Sequence, residues 1–433
     1  MHSSITRRKF FEKSGLAGLA GVGLLAASHR VRANTASSAN ERLNIAVIGV
    51  ANRGNANLNN VASQNIVALC DVDATYLAGA AERFPQAATY KDFRRVLDRN
   101  DIDAVVIATP DHTHAVAAVA ALESGRHVYC EKPLARTISE TRAISEAARS
   151  HNRVTQMGTQ IHAGGNYRRV VELVQSGAIG PVREVHVWVG GGFGNKERPT
   201  DTPPVPEHLD YDLWLGPVPH RPYHPEYVPF HWRHWWAFGG GTLGDLGCHH
   251  MDLAHWALDL RHPLTARAEG PPVHAESAPH WLTVDYEYPN RGESPPVNLT
   301  WYHGGRRPPQ FAEGLLPEWG DGTLFVGEEG MLLASYGGHV LLPEEKFSDF
   351  TRPEPFIPDS IGHHMEWIEA CKNGSATTCN FDYSGALTEA VLLGNVAFRA
   401  GKKVEWDPEN LRIRNGTEAE QFLVHQYRDG WSL

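Results

Sequence analysis

The chain has 433 residues, of which 42% are hydrophobic and 21% are charged, so it is long enough to bury a sizeable core in each of two or three domains. This composition excludes a disordered or fibrous protein. The formal net charge is -10 at pH 7, and the one clearly basic stretch lies near the N-terminus. Because the remainder is acidic, we expect no nucleic-acid partner.

The N-terminal residues have the pattern of a twin-arginine export signal. Residues 6–13 read T-R-R-K-F-F-E-K, and an uncharged Gly/Ala/Leu run follows over residues 14–28. This run is too short to span a bilayer permanently, and small residues at the end of it suit a signal peptidase. The pattern predicts a signal peptide over 1–33, a linker over 34–41 and a periplasmic or otherwise extracytoplasmic protein. The alternative interpretation is an amphipathic N-terminal helix, which the lack of polar alternation disfavours.

Residues 42–158 alternate between strand-like and helix-like segments. Apolar runs that begin at Leu43 and Asn65 predict the first two strands, with a helix at Asn55–Ala62 between them. The later predicted elements are helices at Ala78–Arg83, Phe93–Arg99, Ala115–Ser124 and Ile138–His151, and strands at Ala104–Ala108, His127–Cys130 and Val154–Met157. Such alternation predicts a parallel sheet covered by helices on both faces, as in a Rossmann domain.

Residues 159–433 have a different texture. After a predicted helix at Tyr167–Ser176, strand-like runs are joined by turns rich in glycine and proline. The predicted strands are Val182–Val189, Leu282–Tyr288, Val297–Tyr302, Thr323–Val326, Met331–Ser335 and His339–Leu342, followed by helices at Gly362–Lys372 and Ser384–Ala400. The pattern predicts an α+β domain with a large, mostly antiparallel open sheet, which we expect to carry the substrate site and to form a homo-oligomer.

Residues 49–54, G-V-A-N-R-G, occupy the place of a dinucleotide-binding loop between the first strand and helix. The first glycine allows a tight turn, and the unpaired N–H groups of the helix N-terminus attract a pyrophosphate. Alanine replaces the second glycine, which weakens the motif, and an ordinary turn is the alternative. The loop residues expected to contact the cofactor are Gly49, Ala51, Asn52, Arg53 and Gly54.

An acidic residue, Asp71, closes the second strand 22 residues after Gly49. A carboxylate at this place accepts hydrogen bonds from the adenosine ribose and repels a 2′-phosphate, so we expect NAD rather than NADP. Two further segments, T-P-D-H-T-H and E-K-P, follow the predicted strands at Ala104–Ala108 and His127–Cys130 and should border the nicotinamide. The cofactor contacts expected there are Thr109, Pro110, His114, Glu131 and Lys132.

The intact E-K-P at 131–133 and a D-x-G-x-H-x-x-D pattern at 245–252 resemble the Gfo/Idh/MocA family of oxidoreductases. The resemblance covers about residues 42–410 and implies NAD(P)-dependent chemistry on a sugar or polyol. It also implies that Lys132 lies against the nicotinamide and contacts the reacting oxygen. His249 would be the general acid/base and Asp245 its orienting partner, since a spacing of four places them on one helix face.

The histidines that follow Asp245 and the five cysteines are the candidate metal ligands of the sequence. His250, Asp252 and His255 follow His249 closely, but adjacent histidines do not point along one helix face, so we expect no metal site there. Asp252 and His255 are instead interpreted as residues that stabilise a helix. The five cysteines are odd in number and lack paired CxxC spacing, which indicates neither a disulfide framework nor structural zinc.

A segment rich in aromatic residues spans 214–236 and contains four of the twelve tryptophans. Flat rings suit the C–H faces of sugars, but aromatics that hold a loop against a sheet or form a subunit interface are an equal alternative. The residues expected to face a carbohydrate are Gln160, His162, Trp232, Arg233, Trp235 and His250.

Three functions remain open from the sequence. The first is a nicotinamide-dependent oxidoreductase acting on a sugar or polyol hydroxyl, with a tightly held cofactor that is recycled internally because the protein is exported. The second is an NAD-dependent glycosidase that oxidises a ring carbon, eliminates the aglycone, adds water and reduces again; such enzymes occur in families resembling this one. The third is a non-catalytic sugar-binding protein, and the retention of Lys132, Asp245 and His249 argues against it.

Overall fold

A computed structural model describes residues 42–433 of the chain. The predicted signal peptide and linker lie outside the described residues. Within 42–433, no helix combines the length and apolar character needed to cross a membrane. All five cysteines of the chain are free thiols.

The first sheet has six parallel strands in the order β3-β2-β1-β4-β5-β6, which confirms the predicted Rossmann arrangement. The strands are β1 (Asn44–Ile48), β2 (Asn65–Cys70), β3 (Ala88–Tyr90), β4 (Ala104–Ile107), β5 (His127–Glu131) and β6 (Thr155–Gly158). The connecting helices are α1 (Arg53–Val61), α2 (Ala74–Arg83), α3 (Phe93–Leu97), α4 (Asp111–Glu123) and α5 (Ile138–Ser150). Strand order reverses between β1 and β4, so a crevice opens where these two strands end.

Two predicted helices begin four residues earlier than expected. Helix α2 begins at Ala74 rather than at Ala78. Helix α4 begins at Asp111 rather than at Ala115, so the D-H-T-H segment forms its first turn instead of a loop. Pro110 has extended backbone geometry and precedes the helix, and an acidic first residue is favourable at a helix N-terminus. The short strand β3 was also missed, because three residues carry too little periodicity to be recognised.

The second sheet has nine strands in the order β13-β12-β11-β7-β10-β9-β8-β14-β15. Its strands are β7 (Val182–Trp188), β8 (Thr265–Glu269), β9 (Leu282–Tyr288), β10 (Val297–His303), β11 (Gly322–Gly327), β12 (Gly330–Ala334), β13 (His339–Leu342), β14 (Val404–Asp407) and β15 (Arg412–Ile413). Only β7 and β10 pair in parallel, which confirms a mostly antiparallel sheet. Strands β8, β14 and β15 were missed because they are short and contain charged residues.

The described residues after β6 also form six α-helices. They are α6 (Gly165–Gln175), α7 (Tyr211–Leu215), α8 (Gly241–His250), α9 (Asp252–Leu258), α10 (His363–Asn373) and α11 (Phe381–Ala400). Helix α11 is buried along most of its length and packs against both α5 and α8. Arg142 of α5 forms a bidentate ion pair with Glu389 of α11, at 2.8 and 2.9 Å. Helix α11 therefore joins the parallel sheet to the second part of the fold.

A glycine fixes the position of α8. A Cβ atom on Gly247 would lie 2.7 Å from a methyl group of Val391 on α11, so a larger residue would push the two helices apart. Asp245 and His249 flank this glycine on the same helix. The contact between α8 and α11 therefore sets how far both side chains reach toward the parallel sheet.

Candidate active site

A cavity of about 440 Å³ lies at the carboxyl ends of strands β1, β2, β4 and β5. Helix α8, the aromatic segment and the C-terminus complete its wall. The sequence-predicted residues that line it are Gly49, Ala51, Asn52, Arg53, Asp71, Thr109, Pro110, Glu131, Lys132, Trp232, Arg233, Asp245 and His249. The volume is in the range of small-molecule and cofactor sites.

The glycine-rich turn has the geometry that a dinucleotide requires. Gly49 has φ 83°, and a Cβ atom there would lie 2.6 Å from the carbonyl oxygen of Ala108. A Cβ atom on Gly54 would lie 2.0 Å from the carbonyl oxygen of Gly49, so this glycine packs inside the turn and does not line the cavity. No side chain caps the N-terminus of α1. Its backbone N–H groups are therefore available to a pyrophosphate.

Asp71 lies at the end of β2, on the cavity wall. Its carboxylate accepts hydrogen bonds from the backbone N–H groups of Val50 and Asp73, at 2.9 and 3.0 Å. Burial raises the pKa of Asp71, and these hydrogen bonds oppose the rise. The carboxyl group thus fixes the turn after β1 while it faces the cavity. The loop, the helix N-terminus and this acid together fit an adenine dinucleotide.

Lys132, which follows β5, reaches across the cavity to α8. Its Nζ donates hydrogen bonds to the carboxylate and to the main-chain carbonyl oxygen of Asp245, at 2.7 and 2.6 Å. Arg233 Nε donates to the same carboxylate at 3.1 Å. Burial alone would raise the pKa of Asp245, but the two cations outweigh it and lower this pKa to about 2. The carboxylate is therefore ionised and holds Lys132 at the junction of the two sheets.

The expected contact between Asp245 and His249 is not formed. Both residues lie on α8, but the Asp245 carboxylate is engaged by Lys132 and Arg233. Nδ1 of His249 is buried without a hydrogen-bond partner among residues 42–433. Burial, aided by the charge of Lys132, lowers the pKa of His249 well below its ordinary value. The imidazole is therefore neutral, and its Nδ1 is open to a hydrogen-bond partner.

Asp111 is a cavity residue that the sequence analysis did not select. It is the first residue of α4, 3% exposed, and it lines the cavity with Lys132 and Asp245. Burial raises the pKa of Asp111 to about 8, and the negative charge of Asp245 adds to the rise while Lys132 opposes it. The side chain is therefore protonated at neutral pH. The sequence feature that could have identified Asp111 is its place in the T-P-D-H-T-H segment, which was expected to border the nicotinamide.

His114, expected at the cofactor, lies behind the cavity wall instead. Its two ring nitrogens lie 2.8 Å from the carbonyl oxygens of Thr109 and Pro133. Burial lowers the pKa of His114 to about 4, so the ring is neutral and its single N–H donates to one of these oxygens at a time. His114 thus joins the loops after β4 and β5 and holds Lys132 in place indirectly.

Glu131 is also anchored from behind. Its Oε1 accepts hydrogen bonds from Asn57 and Gln160, both at 2.8 Å. The side-chain carbonyl of Gln160 accepts in turn from Arg53 at 3.0 Å. Gln160 therefore supports the cofactor loop and does not line the cavity, contrary to the expectation that it would face a carbohydrate.

His162 and His250 were also expected to face the substrate, and neither lines the cavity. His162 is buried, stacks on Trp256 at 4.0 Å and hydrogen-bonds through Nδ1 to both carboxylate oxygens of Asp252 at 3.0 Å. His250 stacks on Tyr336 and hydrogen-bonds to its hydroxyl at 3.1 Å. Both rings are held in the packed interior, so neither is placed to contact a ligand in this cavity.

One buried cluster brings together three side chains of the types that bind metal ions. Ligand atoms of His162, Asp252 and Cys379 all lie within 4.8 Å of one another. The Asp252 carboxylate also accepts a hydrogen bond from Tyr383 at 2.7 Å. Asp252 is therefore the centre of a buried hydrogen-bond network, and it is also the first residue of α9, where a carboxylate favours the helix N-terminus. His255 likewise hydrogen-bonds to a partner, Tyr288, at 3.0 Å.

The aromatic segment forms its own packed cluster beside the cavity. The members of the cluster include Tyr211, Trp214, Tyr227, Trp232, Trp235 and Phe238. Trp235 is fully buried and donates a hydrogen bond to the carbonyl oxygen of Glu226 at 2.9 Å, so it does not face the cavity as expected. Trp232 does line the cavity, with Arg233 stacked on its ring at 4.2 Å. The segment therefore packs mainly against itself, while Trp232 reaches the cavity wall.

The C-terminus supplies a wall residue that no sequence pattern indicated. Trp431 lines the cavity near Phe93, with ring centroids 6.1 Å apart, and Arg94 lies over its indole at 4.7 Å. Arg428 anchors this tail by donating hydrogen bonds to Gly216 and Asp212. The tail thus closes the side of the cavity that contains Asp71.

Family models match both parts of the chain. An oxidoreductase-family model with an NAD-binding Rossmann fold matches residues 43–159, and the C-terminal alpha/beta domain model of the same family matches residues 164–293. Together they span more than half of the 433 residues. The chain therefore belongs to the Gfo/Idh/MocA oxidoreductase family, and its first domain is an NAD-binding Rossmann domain.

Curated relatives match over shorter segments. Levoglucosan dehydrogenase of Pseudarthrobacter phenanthrenivorans is 38% identical over 26% of this chain and 29% of its own length. Inositol 2-dehydrogenase of Salmonella typhimurium is 30% identical over 33% of this chain and 45% of its own length. Glycosyl hydrolase family 109 protein 1 of Shewanella sp. is 28% identical over 42% and 44%. The alignments thus span less than half of each of these relatives.

The fold is shared with solved structures over most of the chain. GenD2 from gentamicin A biosynthesis, solved in complex with NAD, has a TM-score of 0.59 and 20% identity. The match covers 85% of this chain and 97% of GenD2. At this identity the similarity establishes the fold alone.

The protonated state of Asp111 predicts how stability depends on pH. The Asp111 carboxyl has a pKa of about 4 in the unfolded chain and of about 8 in the folded protein. Between these values the folded protein keeps a proton that the unfolded chain has lost. The contribution to stability is therefore complete below about pH 4 and falls as pH rises, by at most about 1.4 kcal/mol per pH unit, until pH passes the folded value.

Asp111→Asn removes this loss because an amide does not ionise. The Tm of the variant relative to the unaltered protein should rise steadily from pH 5 to pH 8 and then level off. Asp359→Asn, at a side chain that is 97% exposed, is the control and should show no such trend. Parallel Tm profiles for Asp111→Asn and the unaltered protein would contradict the protonated state.

Proposed function

We propose that this protein is an NAD-dependent enzyme that moves a hydride to or from a hydroxyl-bearing carbon of a carbohydrate. The observation that carries the proposal is the meeting of Lys132, Asp245 and His249 in a cavity at the switch point of an NAD-binding sheet. Family membership and the names of levoglucosan dehydrogenase and inositol 2-dehydrogenase support the substrate class.

The residues of the cavity have complementary proton roles. Bound NAD supplies the acceptor or donor of the hydride. Lys132 Nζ, fixed by Asp245, donates a hydrogen bond to the substrate oxygen and places it in the cavity. When a substrate hydroxyl is oxidised, its proton passes to the neutral imidazole of His249, and the same proton returns in the reverse step. Arg233 keeps Asp245 ionised, so Lys132 stays in position while the proton moves.

A second candidate function is glycoside hydrolysis through transient oxidation. It is favoured by the match to glycosyl hydrolase family 109 protein 1, the longest of the three alignments above as a share of this chain. This chemistry requires the same residues, because the ring carbon is oxidised before elimination and reduced after water addition. In that cycle NAD is restored at each turnover, so no external pool of cofactor is needed.

A panel experiment distinguishes these functions. Purified protein is incubated with sugars, polyols and aryl glycosides, without added cofactor. Release of an aglycone supports the glycosidase, and conversion of one sugar by oxidation with reduction of another supports the internally recycled oxidoreductase. If all compounds remain unchanged even with added NAD, a non-catalytic sugar-binding protein is the better account.

Variants test the roles of the two catalytic groups in whichever reaction the panel reveals. Lys132→Ala and His249→Ala should each lower kcat by roughly a hundredfold or more, the scale of lost general acid/base catalysis. The matched control is His250→Asn, because His250 is the neighbouring histidine and does not line the cavity. Turnover near that of the control in His249→Ala would show that His249 is not the proton acceptor.

We also propose that the twin-arginine pattern exports the folded protein. The support is the T-R-R-K-F-F sequence and the short apolar run that follows it. Changing Arg7 and Arg8 together to Lys should leave the full-length chain in the cytoplasm. Fractionation followed by immunoblotting measures this, and undiminished export of the double variant would refute the pathway.

A further inference from the structure

A second cavity, of about 460 Å³, lies on the other side of the segment that leads into α8. It is bounded by residues 236–240, the first turn of α5, the last turns of α11 and residues 421–426. No residue lines both this cavity and the first one. The NAD-dependent chemistry proposed above makes no use of it.

Positive charge dominates the lining of the second cavity. Arg136, Arg221 and Arg399 contribute three guanidinium groups, whereas Glu276 is the one acidic residue in its lining. Glu276 is already bonded to Arg198 at 3.0 Å and lies 3.9 Å from Arg221. The protein as a whole carries a formal charge of -10, so this local excess of cations is opposite to the general field.

Several donors in this cavity lack partners. Arg136 is 7% exposed and donates from Nη1 to the carbonyl oxygen of Ala237, at 2.5 Å, but its Nε and Nη2 are buried without a partner among residues 42–433. Arg221 Nη1 is buried and makes no hydrogen bond, although Glu276 Oε2 lies 3.9 Å away, and His425 Nε2 is buried without a hydrogen-bond partner among the described residues. An unpaired buried donor is destabilising, and more so when it is charged, so a ligand that accepts hydrogen bonds from these groups is favoured.

Arg399 is oriented by aromatic rings. Its guanidinium lies 4.2 Å from the ring centroid of Phe422 and 5.1 Å from that of Trp236. Burial, together with the nearby charge of Arg136, lowers the pKa of Arg399 to about 10, so the group remains charged at neutral pH. Stacking fixes the plane of the guanidinium, and a fixed fork of N–H donors matches the oxygens of a carboxylate or phosphate.

We propose that the second cavity binds a small molecule through an oxyanion, either a carboxylate or a phosphate, held by Arg136, Arg221 and Arg399. The cavity is larger than a single phosphate ion and falls within the usual range for small-molecule sites. Arg136 also bonds to Ala237, in the segment that leads into α8, the helix that contains Asp245.

The test uses the full chain saturated with NAD, so that anions do not compete for the pyrophosphate site of the first cavity. Tm and isothermal titration calorimetry are measured with inorganic phosphate, with citrate, and with sodium chloride at equal ionic strength. Phosphate or citrate should give a saturable rise in Tm beyond that of chloride. The stronger of the two probes identifies a phosphorylated or a carboxylate ligand, and either result supports the site.

Substitutions separate specific binding from general salt effects, since phosphate stabilises many proteins without a site. Arg399→Gln should weaken binding by roughly tenfold or more, the scale of one lost charge-assisted hydrogen bond. Arg221→Gln serves as a second variant should Arg399→Gln fold poorly. Arg95→Gln, at a side chain that is 73% exposed on α3, should bind like the unaltered protein. An unsaturable response, or equal binding by the cavity variants and Arg95→Gln, would overturn the proposal.

Discussion

The ion pair between Lys132 and Asp245 is the contact on which the rest of the active site depends. It joins the loop after β5 of the parallel sheet to helix α8 of the second part of the fold. Both side chains are largely buried, at 12% and 13% exposure, so each charge requires the other. Removing one partner of such a pair costs about 3–5 kcal/mol in typical proteins, because a buried charge is left uncompensated.

Contacts in the surrounding structure position the two side chains of this ion pair. His114 bonds the two loops that border Lys132, and Gly247 lets α8 approach α11 closely enough for Asp245 to reach it. As a result, the titratable groups of this cavity differ in their charge states. Asp245 remains ionised, whereas burial keeps the imidazole of His249 neutral and Asp111 protonated at neutral pH. The ionised carboxylate of Asp245 thus balances the charge of Lys132, while His249 and Asp111 stay uncharged.

The sequence predicted the elements whose patterns are local. Apolar runs located five of the six parallel strands. The E-K-P and D-x-G-x-H-x-x-D motifs indicated Lys132 and Asp245 as residues of one site, and the structure places their side chains 2.7 Å apart. The partner of Asp245 was predicted wrongly, because helix spacing shows which residues share a face but not which cation approaches from another element. His162 and Trp235 were misplaced for a similar reason, since their types suit a site whether they face a cavity or the core.

Two wall residues were missed because nothing local identifies them. The charge state of Asp111 depends on where α4 begins, and the proline before it concealed that start. Trp431 reaches the cavity only because Arg428 anchors the C-terminal tail to residues more than two hundred positions earlier. Long-range contacts of this kind carry no periodic signal in the chain.

The central claim is that this cavity holds NAD as the working cofactor, and the most direct measurement is the nucleotide content of the purified protein. The folded protein is washed free of small molecules and denatured, and the released nucleotides are separated and quantified. The account predicts NAD in near-stoichiometric amount, with little NADP because Asp71 faces the cavity. Absence of any nucleotide, together with no binding of added NAD or NADP, would contradict it.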